Sequence, residues 1–254
     1  YMVACLQSET TSKRLEVVVQ ECRRMGIKLL LPDINLSGED FQIERGDIRF
    51  GLTRIKGINS KQVEEIIAER ELHGPFSSLE DLLTRLTEKQ LPQGLLHAFA
   101  ESGALDSLAP GGQRIALLNV AEERIVVKTK RGAKEETEEA QKILGIDLWF
   151  EYGKSLRIAR STSTFGYLMP PPPVLRTTPP TELERMEMLN TERELLKVYI
   201  SGHPLDSYKL EIMSCATLSI NALESQQAEY RGKMVYVAGM VSISLPKEEE
   251  KKEK

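Results

Sequence analysis

Between Ile48 and Arg70 the spacing of apolar residues switches from every second position to every third and fourth, and the switch falls on Lys56-Gly57-Ile58-Asn59. Ile48, Phe50 and Leu52 alternate with Arg49 and Gly51, the pattern of a short half-buried extended segment. Val63, Ile66 and Ile67 then form a helical stripe, with Lys61, Glu64, Glu65 and Arg70 on the wet faces. Gly57 is free to take a positive φ, and Asn59 stands as a helix cap in capping-box spacing with Gln62. A chain with this stretch is committed to a tight turn followed at once by a helix.

A helix that begins at the tip of a turn points unpaired backbone N–H groups at solvent, and a phosphate is a natural acceptor for them. From residue 45 to residue 61, Arg45, Arg49, Arg54, Lys56 and Lys61 stand against Asp47 alone. That is a local charge of +4 in a chain whose formal net charge is −4. Arg54, Lys56, Gly57, Ile58, Asn59, Ser60 and Lys61 are therefore the candidate DNA-binding residues. The same pattern also fits an ordinary helix–turn–helix corner with exposed lysines, and that reading stays open.

With 254 residues, 41% apolar and 28% charged, the chain can bury a core as one large or two small domains. No run of about 18 apolar residues and no charged-then-apolar leader is present, so a cytoplasmic address without a membrane span is expected. Cys5, Cys22 and Cys215 lack CxxC spacing, and His73, His97 and His203 are scattered. Reduced thiols and no metal site are expected. There is no GxxxxGK[ST] and no GxSxG, which removes the motif support for P-loop and acyl-transfer chemistry. The sequence opens at Tyr1, in mid-pattern, as a piece of something longer would.

Ser12, the stripe Leu15, Val18, Val19, Cys22 and Met25, and Gly26 directly after it define a helix. A short strand over Ile27–Leu31 follows, giving a small α/β unit over 1–44. Gly74-Pro75 breaks the hairpin helix, and Ser77 to Glu80 reads as a capping box before Leu79, Leu82, Leu83 and Leu86. Leu95, Leu96 and Phe99, a glycine turn at Ser102–Asp106, and a helix over 114–127 complete a second helix–hairpin–helix unit. The two units are expected to pack as one all-α domain over 45–127. Residues 128–180 are charged, then Ser/Thr/Pro-rich, and read as a linker. Within it Ile146, Asp147, Leu148, Trp149 and Phe150 form an apolar island that either meets a partner or folds back onto the helices. Thr181 and Glu184 form a capping box opening a helix within 181–210, and Lys233–Leu245 alternates like a strand in the 211–254 segment.

FGLTRIKGINSKQVEEIIAER, GPFSSLEDLLTR, ESGALDSL, NTERELLKVYISGHPLDSY and VYVAGMVSI occur in that order. With them the chain resembles the alpha subunit of bacterial DNA polymerase III, from the end of the fingers to the start of the OB-fold. The resemblance implies a mainly α fold: a tandem helix-hairpin-helix domain, a small α/β unit before it, and an incomplete β, OB-like segment at the C-terminus. It implies a polymerase parent whose palm aspartates bind metal (Mg) upstream of Tyr1, with no catalytic residue and no metal ligand in this stretch. Whether the chain is itself an enzyme stays open.

The partners implied are duplex DNA at a primer-template, the sliding clamp and other replisome subunits. In the family a clamp-binding peptide lies just beyond the helix-hairpin-helix domain. Ile146, Asp147, Leu148, Trp149 and Phe150 are similar to it, with Gly145 where Gln is usual. Asn59 replaces a second hairpin glycine, residues 151–180 match nothing in the family, and the OB-fold does not continue after Leu245. The net charge of −4 also admits a replisome scaffold that binds no DNA.

Overall fold

The computed structural model describes residues 1–9, 11–129, 136–162, 170–175, 177–225 and 228–240. Contacts divide the chain into two units, Tyr1–Ser201 and Gly202–Lys254. The described residues are mainly α-helical with a few short strands.

The first unit opens with α1 (Met2–Ser8) and α2 (Ser12–Arg24). Leu15, Val19 and Cys22 form the buried stripe of α2, which ends at Met25 as the pattern requires. A three-stranded sheet follows: β1 (Leu29–Leu30), β2 (Gln42–Glu44) and β3 (Asp47–Arg49), in the order β1-β3-β2. Ile48 of β3 pairs with Leu29 in parallel and with Ile43 antiparallel. This register turns Ile48 inward, and Phe50 and Phe41 meet edge to face at 4.8 Å beneath it. The segment before the hairpin is thus the central strand of a sheet whose outer strands lie in residues 1–44.

Four helices then pack on one core: α3 (Ser60–His73), α4 (Leu79–Arg85), α5 (Gln93–Ser102) and α6 (Arg114–Leu118). Ser78 caps α4 by accepting the Asp81 N–H at 3.1 Å. None of these helices would be stable alone in water. Val63, Ile66, Leu79, Leu82, Leu83, Leu96 and Phe99 are buried together, each contributing about 1.5–3 kcal/mol of transfer free energy.

The structure corrects the reading of residues 114–180. The helix expected over 114–127 stops at Leu118. Residues 120–129 are β4 (Val120–Thr129), paired antiparallel with β5 (Glu136–Leu144). Part of the expected linker is α7 (Gly145–Thr162), packed on α4 and α5. Ile146, Trp149, Phe150, Leu156 and Ala159 form its buried stripe. Gly153 lets it close on α4, since a Cβ there would lie 2.9 Å from the Leu83 Cβ. Arg157 donates to the carbonyls of Leu83 and Leu86 and so closes the C-terminal end of α4.

α8 (Glu182–Leu196) begins with the expected capping box: Glu184 N–H to Thr181 Oγ1 at 3.3 Å, and Thr181 N–H to the Glu184 carboxylate at 2.8 Å. It ends at Leu196, short of the 181–210 span within which the helix is expected. Leu183, in its first turn, is exposed.

In the second unit, Pro204–Tyr208 forms a short 3-10 helix capped by His203 and Asp206. α9 (Lys209–Cys215) and α10 (Ile220–Ser225) follow. The strand expected at Lys233–Leu245 is not formed over 233–240, and 241–245 lie outside the described residues. Thr217 and Tyr236 exchange hydrogen bonds, but no ladder extends from them among the described residues. An isolated strand has too little packing to persist in water.

Candidate nucleic-acid interface

The tip is a four-residue turn, Ile55 to Ile58, closed by the Ile58 N–H on the Ile55 carbonyl at 3.3 Å. Gly57, third in the turn, has φ +84°, which a turn of type II requires there and which disfavours any residue with a Cβ. Leu52 and Ile55 are buried on one side of the turn, and Ile58 packs against the core on the other. Asn59 caps α3 by accepting the Lys61 N–H at 3.0 Å. The Gln62 N–H goes to the Asn59 main-chain carbonyl at 3.1 Å, so Asn59 acts as a cap on the second helical amide rather than through the expected box.

The Lys56 N–H is taken by the Leu195 carbonyl at 3.0 Å. The amides of Gly57, Asn59 and Ser60 donate to no acceptor among the described residues, and all three residues are exposed. Lys56 and Lys61, on either side of them, are exposed and make no ion pair among the described residues. Three unpaired N–H groups on exposed residues at the start of a 14-residue helix, between two lysines, make this tip the candidate anion site.

Arg54 does not belong to it. Its guanidinium donates twice to Asp40, at 2.8 Å each, and to the Gln7 carbonyl at 2.6 Å, and it lies 5.5 Å over the Phe41 ring. The hydrogen bond to Asp40 holds its pKa above the usual arginine value. Arg49 is likewise paired with Glu44 and donates to the Leu31 carbonyl at 2.8 Å. The +4 counted along the sequence is therefore reduced in space, because the sheet brings Asp40 and Glu44 to two of the arginines. Arg45, in the β2–β3 turn at φ +52°, stays exposed.

Sequence reasoning missed a buried ion network that ties α6 and the turn before it to α8. Arg114, 6% exposed, donates to Asp106 through Nη2 at 2.8 Å and Nε at 3.0 Å, and through Nη1 to Glu192 at 3.1 Å. Glu192 is fully buried and also accepts the N–H groups of Ile200 at 2.8 Å and Ser201 at 2.9 Å, together with the Ser201 hydroxyl. Burial pushes the Asp106 carboxyl up despite the arginine beside it. Gly103 makes room: a Cβ there would sit 2.0 Å from the arginine Nη2. One signal was available, since Glu192 lies between Leu189 and Leu196 on the apolar face of α8.

The pentad proposed for clamp binding is not an exposed tether. Ile146, Trp149 and Phe150 are buried, and Leu148 is half-buried. Asp147 accepts from Gln93 at 2.8 Å, pairs with His97 at 2.6 Å and accepts the Leu144 N–H at 3.0 Å. Burial pushes its carboxyl up, but these hydrogen bonds outweigh it and hold the pKa below the usual aspartate value. The fold-back reading describes this pentad.

A family model described as a helix-hairpin-helix motif matches residues 26–116, the span that contains the tip, α3, α4 and α5. Nearly the whole chain aligns with DNA polymerase III subunit alpha of Saccharopolyspora erythraea, at 32% identity over 243 residues, 95% of this chain and 19% of the relative. The same protein of Thermus aquaticus is 32% identical over 245 residues, 95% of this chain and 18% of the relative. That of Deinococcus radiodurans is 32% identical over 246 residues, 95% and 17%. The chain is homologous to one segment of DNA polymerase III subunit alpha. It spans less than a fifth of the length of these relatives.

Within this polymerase III alpha homologue the structure brings Lys56, Gly57, Ile58, Asn59, Ser60 and Lys61 together at one tip and turns Arg54 away from it. Space around Gly57 is open, with no atom within 4 Å of an added Cβ, so the backbone alone resists substitution. Gly57→Val is expected to destabilise the protein by about 1–2 kcal/mol, through the positive φ. Duplex affinity should fall further than that loss explains when measured well below the unfolding temperature. Equal losses in both would make the glycine structural only.

Proposed function

We propose that this chain holds duplex DNA by its phosphates, without reading bases, as part of a replicative DNA polymerase. The observation that carries the reading is the tip: the amides of exposed Gly57, Asn59 and Ser60, without an acceptor among the described residues, between exposed Lys56 and Lys61. Backbone amides and lysines meet phosphate oxygens equally well at any sequence. On this reading DNA synthesis, with its Mg, belongs to a longer parent working in the cytoplasm, and a sliding clamp and other replisome subunits are the parent's partners. Clamp docking through Ile146 to Phe150 would need Ile146, Trp149 and Phe150 to leave the core first. Among the described residues no helix is long and apolar enough to cross a membrane.

The test is duplex binding by the full chain, followed by fluorescence anisotropy on two unrelated sequences over roughly 50–200 mM salt. Affinity should be alike for both duplexes and fall steeply with salt. Lys56→Glu with Lys61→Glu should weaken binding on the order of a hundredfold. Affinity unmoved by the double change, or a strong preference for one duplex, would leave the scaffold reading in its place.

A further inference from the structure

We propose that Lys197 is a further phosphate contact, so that the DNA-holding surface extends from the hairpin tip onto the C-terminal end of α8. The inference rests on the duplex-binding reading above and adds to it a residue 136 positions beyond Lys61 in the sequence.

Lys197 is the residue that ends α8, and it does so in the left-handed region, at φ +68° and ψ −1°. Helices commonly end this way on glycine, because a Cβ in that conformation crowds the following carbonyl. Here a long cation occupies the position instead. Strain of this kind persists where the side chain has work that glycine cannot do.

Its place in the fold supplies the work. Leu195, two residues earlier, is the acceptor for the Lys56 N–H at 3.0 Å, so the end of α8 abuts the hairpin tip. The C-terminal end of a helix carries negative partial charge and by itself would repel a phosphate. Here its last carbonyls are covered. The Lys197 N–H takes Arg193 O at 2.8 Å, the Lys197 ammonium takes Glu194 O at 3.1 Å, and Lys56 takes Leu195 O. The same ammonium makes no ion pair among the described residues. Of its neighbours, Arg193 is engaged with Glu16 at 3.4 Å and lies 5.3 Å over the Tyr199 ring, which leaves exposed Glu194 as the opposing acid on α8. Lys197 thus stands two residues from the carbonyl that takes the Lys56 N–H, on an element far along the chain from the tip.

Lys197→Gly separates the roles, because it removes the charge while relaxing the backbone. In the full chain, the variant should keep or raise the urea midpoint. It should weaken duplex binding about three- to tenfold near 50 mM salt and flatten the log–log salt slope by about 0.9, one phosphate contact. Lys197→Arg should keep both affinity and slope. Unchanged affinity and slope in Lys197→Gly, alongside lost binding in the Lys56/Lys61 double variant, would overturn the role of Lys197 and leave the hairpin reading standing. A lower urea midpoint with an unchanged slope would reduce Lys197 to a helix cap and also overturn it. Absence of binding by the unaltered chain would overturn both readings together.

Discussion

Arg114→Met is expected to destabilise the Tyr1–Ser201 unit by about 3–5 kcal/mol, measured by urea denaturation near neutral pH. The methionine can fill much of the volume, but it leaves Glu192 fully buried beside Asp106 with no cation between them. Arg114→Lys should recover only part of the loss. The planar fork reaches Asp106 and Glu192 at once, and an ammonium cannot reproduce that geometry. Adding Glu192→Leu to Arg114→Met should not restore stability, because the Ile200 and Ser201 N–H groups would then lose their acceptor. Full recovery in that double variant would mean that the network gives no net stability.

Trp149→Ala is expected to cost about 3–5 kcal/mol by the same measurement, the usual range for deleting a buried aromatic and leaving a cavity. Trp149→Phe should be close to neutral. The buried Nε1 of Trp149 has no acceptor among the described residues, so exchanging it for a carbon removes an unpaired donor while keeping most of the ring packing. The contrast also tests how the pentad is used. If Leu148 and Trp149 served only an external partner, their joint replacement by Ala would leave stability untouched.

Local pattern was enough to find α2, the turn at Gly57, the start of α3 and the capping box of α8, because each is decided within a few residues by periodicity, cap chemistry and glycine. It failed where the deciding partner is remote. The helix expected over 114–127 ends at Leu118, and Ile125, Val126 and Val127 suit a strand. Its partner is the acidic segment Glu136–Leu144, whose composition reads as linker. In α7 the apolar island Ile146–Phe150 is continued by Leu156 and Ala159, one helical stripe interrupted by polar residues that read as linker. Counting charge along residues 45–61 likewise could not anticipate that Asp40 and Glu44 fold back onto Arg54 and Arg49.

Chain order and spatial order disagree at the tip, with a consequence for how the protein is made. The carbonyl that holds Lys56 belongs to Leu195, about 140 residues downstream, and a ribosome adding about 5–20 residues per second delivers it on the order of ten seconds after Lys56. During that interval the nascent chain has Gly57, Asn59 and α3 but lacks the brace supplied by α8. The tip therefore reaches its braced form late in synthesis, once α8 has been made. A nascent polypeptide stalled before α8 would carry the hairpin sequence without that brace.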